Sequence, residues 1–115
     1  MNARTKEQLE SLPQSTACRI IDFETAELRP GIIGKTYFLI VTGRKPWANM
    51  DVQLVPLIYV DPPDYWGIEV VGCLSGISLP VEVPYSVTLD VSHTLGRRGV
   101  EVIGASGKQK LDIPK

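Results

Sequence analysis

The sequence predicts an all-β fold, a single antiparallel β-sandwich of about seven strands, on three observations. The 115 residues include 12 Val and 10 Ile but only 5 Ala and 2 Met, and branched side chains favour strands over helices. Apolar and polar residues alternate over residues 81–92, the period of a strand with one buried face. Turn residues separate the apolar segments at short intervals, which leaves no helical crossover to join parallel strands. A small β-barrel is the alternative architecture.

The first 16 residues are predicted to form an N-terminal arm or short helix, and residues 17–115 the sandwich domain. Thr5 and Gln8 have the spacing of a capping box, and Pro13 would stop the helix. Leu9 and Leu12 supply only a narrow apolar edge, which is too little to hold so short a helix without tertiary contacts. Two interpretations follow, a loosely docked arm or an arm that docks on a partner subunit.

Three strands are predicted in the first half of the domain, over residues 17–24, 35–42 and 50–60. Residues 35–42 contain five consecutive apolar residues, which indicates a central strand covered on both faces. In residues 50–60 the alternation fades around Pro56. Because proline cannot donate to a ladder, Pro56 indicates an edge strand or a bulge.

Four more strands are predicted in the second half, over residues 66–73, 81–92, 100–103 and 111–113. Pro84 lies on the polar face of residues 81–92, where it could divide this strand in two. Residues 96–99 contain two glycines and are expected to form a hairpin turn, with residues 100–103 as its return strand.

One short segment resembles a known class of fold. The turn Pro30-Gly31 followed by the strand from Lys35 to Val41 looks like the same feature in many immunoglobulin-like sandwiches. The resemblance covers one strand and implies no function.

The N-terminal segment predicts a cytoplasmic protein, and that location in turn disfavours a disulfide between the two cysteines. The N-terminal segment has no apolar region of the secretory type, and no apolar run approaches the roughly 20 residues that a membrane helix needs. Cys18 and Cys73 are 55 residues apart, a gap of the order found in antibody-type sandwiches, but the other hallmarks of that class are missing. We therefore predict two reduced thiols that pack as small apolar residues.

Charge and motifs give no support for a nucleic-acid binder, a cofactor or a catalytic centre. Twelve basic residues nearly balance thirteen acidic ones. Gly34-Lys35-Thr36 matches the end of a phosphate-binding loop, but a strand follows it where that loop requires a helix. His93 is the single histidine, and no nucleophile and acid can be assembled around it. No catalytic residue, metal ligand or cofactor is predicted.

The candidate binding residues are aromatic and basic side chains near predicted strand ends. They could cap the open ends of the sandwich, or they could form a recognition surface, since aromatic residues dominate interface hot spots. They are Trp47, Tyr65, Trp66, Arg44, Arg97 and Arg98.

The function predicted on these grounds is a non-catalytic module for protein interaction or self-assembly. Its partner would be a second copy, as a homodimer, or another protein, with no membrane and no nucleic acid involved. The apolar second half of residues 50–60 needs cover, which a homodimer would provide. The alternative is binding of a small ligand or carbohydrate by the loop aromatic residues.

Overall fold

The computed structural model describes residues 17–114, which form eight strands and no helix. The predicted N-terminal arm or helix lies outside the described residues. The strands are β1 (Ala17–Ile20), β2 (Thr25–Pro30), β3 (Tyr37–Lys45), β4 (Asp51–Pro56), β5 (Tyr65–Leu74), β6 (Val83–Asp90), β7 (Gly99–Ile103) and β8 (Lys108–Asp112).

Two sheets pack face to face, so the predicted all-β sandwich is confirmed and the two sheets do not close into a barrel. The larger sheet contains β1, β4, β5, β7 and β8, and the smaller one has the order β2-β3-β6. The sheets meet along their long sides, where β4 lies against β6 and β2 lies against β8.

The core between the sheets is built from alternate strand residues, as period-two patterning requires. Leu39 and Val41 of the smaller sheet and Ile68 and Val70 of the larger sheet are fully buried. Their branched side chains fill the space between the two inner faces.

Strand β6 shows the predicted alternation, and Pro84 does not divide it. Tyr85 is buried, while Pro84 and Ser86 on either side of it are exposed. Proline is tolerated because β6 is the edge of the smaller sheet and pairs only with β3. Pro56 likewise ends an edge strand, because β4 pairs only with β5.

Strand β3 is central, as expected, but it is covered on one face only. Leu39 and Val41 point into the core, whereas Phe38 and Ile40 are only half-buried on the outer face of the smaller sheet. The prediction of cover on both faces was wrong. In a strand only alternate residues face the core, so five consecutive apolar residues do not show that the opposite face is covered as well.

Two predictions about strand pairing were also wrong. Strands β5 and β7 pair in parallel, with Tyr65 opposite Gly99, because the chain between them leaves the larger sheet, forms β6 and then returns. The turn at residues 96–99 is therefore not a hairpin between β6 and β7. Strand β7 instead pairs with β5 and β8.

The predicted reduced thiols were wrong as well, since Cys18 and Cys73 form a disulfide. Strands β1 and β5 pair so that these two residues are directly opposite each other. Their side chains therefore share one face of the larger sheet. The bond joins neighbouring strands of one sheet, whereas the antibody disulfide connects two sheets.

The strand register defines two ends of the sandwich, which position the candidate site. The end named here after Tyr65 carries residues 31–36, 57–64 and 91–98, and the end named after Trp47 carries residues 21–24, 46–50, 75–82 and 104–107.

No helix in the described part of the chain is long and apolar enough to cross a membrane.

Candidate functional site

The structure divides the six predicted binding residues between the two ends. Trp47 and Leu74 line one cavity at the C-terminal end of β5, whereas Trp66 is the second residue of the same strand. Eight residues of strand separate these points, which corresponds to roughly 25 Å. Arg44 lies at the Trp47 end, and Tyr65, Arg97 and Arg98 lie at the other. The three aromatic rings therefore do not form one cluster.

At the Trp47 end, an arginine from β1 lies over the tryptophan ring. The Arg19 guanidinium carbon is 4.8 Å from the ring centre of Trp47, within the range of a cation–π interaction. Trp47 itself is half-buried and packs against the core. One face of the ring is thus occupied from within the chain.

Beside this pair, an apolar cavity of about 250 Å³ reaches from the start of the described chain to the end of β5. It is lined by Ala17, Cys18, Arg19, Trp47, Met50 and Leu74. A second, more polar groove of about 310 Å³ is also lined by Arg19 and includes Asp22, Arg44 and Glu82. Arg44 donates to Glu82 over 3.0 Å, so a carboxylate already holds this predicted binding residue.

Asn49 fixes the chain that follows β5. Its side-chain amide donates to the carbonyl of Ile77 over 2.8 Å, and its carbonyl oxygen accepts from the amide of Leu79 over 3.0 Å. The amide of Ala48 donates to the carbonyl of Leu79 as well. These bonds hold the backbone at Ile77 and Leu79, two residues outside any strand whose side chains are exposed.

At the other end, Tyr65 makes several polar contacts. Its hydroxyl forms a hydrogen bond of 2.5 Å with the carboxylate of Asp112, which raises the pKa of the Tyr65 hydroxyl. The cationic groups of Arg98 and Lys110 lie 5.4 Å and 5.2 Å from the ring centre. The strand register allows this, because Gly99 stands between Tyr65 and Asp112 and carries no side chain.

The remaining predicted residues at this end are also held by contacts within the chain. Arg97 donates to the carboxylate of Asp64 over 3.1 Å. The indole nitrogen of Trp66 donates to the carbonyl of Leu57 over 2.8 Å. The rings of Trp66 and Tyr59 pack edge to face, with 5.1 Å between their centres. Trp66 therefore fastens the loop after β4 to the start of β5.

Large apolar side chains are exposed at both ends of the sandwich. On the Tyr65 end, Ile32, Ile58 and Val60 are as exposed as in an extended peptide, at 105%, 97% and 100%. On the Trp47 end, Ile77 is 86% exposed. Single exposed apolar residues are ordinary, but groups of them mark interaction surfaces.

The described residues hold no metal-binding cluster, and the polar groups near His93 are hydrogen-bonded within the chain. No three of His, Cys, Asp and Glu within residues 17–114 lie close enough to hold a metal ion. Near His93, the hydroxyl and amide of Ser92 both donate to Asp90, and these bonds lower the pKa of the Asp90 carboxyl. The hydroxyl of Ser92 also accepts from the amide of Tyr37, so the serine connects strand ends.

Sequence reasoning missed Arg19, Asn49 and the disulfide. Arg19 reaches Trp47 only because β1 pairs with the end of β5, a contact between residues far apart in the chain. Asn49 next to a loop is ordinary turn composition, and nothing local shows that it bonds residues 28 and 30 positions further on. The two cysteines were noticed, but their pairing depends on the same strand contact as Arg19.

The fold and these contacts define an all-β, two-sheet domain that presents apolar loops at both ends. No protein-family model, curated protein or solved structure matches this chain.

Proposed function

We propose that this chain is a non-catalytic interaction module, and that it associates with a second copy of itself. The observation that carries the proposal is the exposed apolar segment from the end of β4 into the following loop. Val55, Ile58 and Val60 are 37%, 97% and 100% exposed there. Full burial of each such side chain is worth about 1.5–3 kcal/mol, so a surface that covers them gains free energy.

The position of this segment favours another copy as the cover. Strand β4 is an edge of the larger sheet, and its outer side has no neighbouring strand among the described residues. Open apolar edges are places where chains pair. A two-fold dimer places the same patch of both subunits together, so the apolar segment would meet its own copy and need no other partner.

The neighbouring contacts keep this segment in place before it binds. Tyr59 and Leu57 pack over Gly67 of β5, and the Leu57 amide donates to the Gly67 carbonyl over 2.9 Å. These half-buried residues alternate with the exposed Ile58 and Val60. Because the segment is already ordered, association costs less conformational entropy than it would for a free loop.

Sedimentation velocity of the full chain, from about 1 μM to about 1 mM, tests the proposal. We expect a concentration-dependent dimer in the unchanged protein. The double substitution Ile58→Asp with Val60→Asp should weaken it by more than about tenfold, because two carboxylates would be buried in the interface. Both residues are exposed, so the variant should keep its fold, which circular dichroism would verify.

The matched control is Ile32→Asp with Ile33→Asp, two exposed residues in another loop of the same end. It adds the same charge without touching the β4 segment and should leave the dimer intact. A strictly monomeric protein over the whole concentration range would overturn the proposal. Equal weakening by both double variants would also overturn it, because it would place the contact elsewhere.

A further inference from the structure

The apolar cavity at the Trp47 end lies where the described chain begins. Ala17, Cys18 and Arg19 form one side of it, and Trp47, Met50 and Leu74 form the other. Its volume of about 250 Å³ is below the roughly 300–1,000 Å³ of typical small-molecule sites. One or two aliphatic side chains match it better than a drug-sized or sugar ligand.

Sixteen residues precede Ala17, and they carry suitable side chains close to the cavity. Leu9 and Leu12 are the only branched aliphatic residues among them. Leu12 is five residues before Ala17, a distance of at most about 18 Å in extended chain. That reach is enough to turn back onto a cavity whose own rim includes Ala17.

The charges beside the cavity also match this segment. Arg19 covers one face of Trp47 and makes no ion pair with the other described residues. Glu7 and Glu10 lie on either side of Leu9 in the sequence. The carboxylate of Glu7 or Glu10 near Arg19 would supply the ion-pair partner that the described residues do not supply.

We propose that residues 1–16 fold back over this cavity in the same chain, with Leu9 and Leu12 covering Trp47. A tethered segment meets its site at an effective concentration in the millimolar range, so an affinity that would be weak between separate molecules is enough to hold it. The occupant is thus the N-terminus of the same molecule. This inference is independent of the proposed dimer, because the β4 segment lies at the other end of the sandwich.

The test compares the indole N–H resonances of Trp47 and Trp66 in the nuclear magnetic resonance spectrum of the full chain. The Trp47 signal is assigned by its loss in Trp47→Phe. In the double variant Leu9→Ser with Leu12→Ser, we expect the Trp47 resonance to shift and the Trp66 resonance to stay. The control Gln8→Ser with Gln14→Ser, polar changes in the same segment, should move neither resonance.

A second measurement uses emission and acrylamide quenching in a Trp66→Phe background, where Trp47 is the only fluorophore of its kind. The leucine variant should show red-shifted emission and faster quenching than the control. A Trp47 resonance that stays in place in the leucine variant would overturn the proposal. So would a shift that appears in the unchanged chain on dilution, because the occupant would then be another copy.

Discussion

Cys18 and Cys73 lie directly opposite each other on β1 and β5, with 4.0 Å between their Cα atoms, and they form a disulfide. Strand β1 has only four residues and pairs only with β5. Backbone hydrogen bonds over so short a strand give little stability by themselves. The disulfide is therefore the strongest connection of β1 to the larger sheet. Because Arg19 belongs to β1, the disulfide also helps to keep Arg19 over the ring of Trp47.

We predict that reduction of this disulfide lowers the free energy of unfolding by about 3–4 kcal/mol, because a closed loop of this length restricts the unfolded chain. Urea unfolding followed by tryptophan fluorescence, with and without dithiothreitol, measures the effect. The double variant Cys18→Ser with Cys73→Ser should have the lower stability and should not respond to dithiothreitol.

Titration of thiols in the urea-unfolded, unreduced protein gives an independent check. We expect no reactive thiol, and two thiols per chain would contradict the disulfide. Disulfides persist chiefly in oxidising compartments. The same titration on protein taken from its native cell would therefore also test the cytoplasmic location that the sequence predicts.

Tyr85 should make stability depend on pH in the alkaline range. Its hydroxyl donates to the carbonyl of Asp22 over 2.7 Å, and burial, followed by the charges of Asp22 and Glu24, raises the pKa of Tyr85 to about 12. In the unfolded chain a tyrosine titrates near pH 10, at about its ordinary pKa. Between these values the unfolded state loses a proton that the folded state keeps.

The contribution of Tyr85 is therefore intact below about pH 10 and decreases as the pH rises toward about 12. Tyr85→Phe should cost about 1 kcal/mol at neutral pH, through loss of the hydrogen bond to Asp22. It should also flatten the decline in the urea midpoint between about pH 10 and about pH 12. An identical decline in both proteins would show that Tyr85 does not titrate as described.

Two substitutions of Asn49 separate the effect of its side-chain donor from the effect of its side-chain acceptor. Asn49→Ala removes both bonds to the chain after β5 and should cost about 1 kcal/mol, since both are exposed. It should also speed hydrogen exchange at the Leu79 amide, which donates to the Asn49 side chain. Asn49→Asp keeps an acceptor for that amide but loses the donor to Ile77.

The aspartate variant should therefore protect the Leu79 amide nearly as well as asparagine does. Exchange measured by nuclear magnetic resonance on all three proteins makes this comparison. Equal protection of the Leu79 amide in the alanine variant would mean that the bond from Ala48 to Leu79 fixes this segment without Asn49.

The parts of the fold that the sequence predicted correctly depend on local patterns. The alternation from Val83 to Asp90 produced β6 with one buried face, because side-chain direction alternates within any strand. Pro56 correctly indicated an edge strand, since a missing donor has the same effect in every sheet.

The parts that could not be predicted depend on which strands become neighbours. The sequence does not show that β7 pairs with β5 in parallel, or that β1 places Cys18 opposite Cys73. The candidate site has the same limit. Trp47 and Trp66 are both recognisable as aromatic residues near strand ends, but only the register of β5 shows that they are at opposite ends of the molecule.

Strands β7 and β8 approach each other closely at Gly99, so a larger residue there tests their packing. A Cβ atom at this position would overlap the carbonyl oxygen of Leu111 and would lie 3.0 Å from the Cα of Asp112. Both atoms belong to the backbone of β8, which would have to move away. We expect Gly99→Ala to lower the free energy of unfolding by about 1–3 kcal/mol or more, and to weaken the bond between Tyr65 and Asp112.

Gly107→Ala is the matched control, since a Cβ there meets nothing within 4 Å and the backbone is not in the left-handed region. Its free energy of unfolding should stay within about 0.5 kcal/mol of the unchanged protein. Urea unfolding measures both variants, and absorbance titration of the tyrosines reports on Tyr65, because loss of the Asp112 bond returns its raised pKa toward the ordinary value. If Gly99→Ala were as stable as Gly107→Ala, the close contact of β7 with β8 would be contradicted.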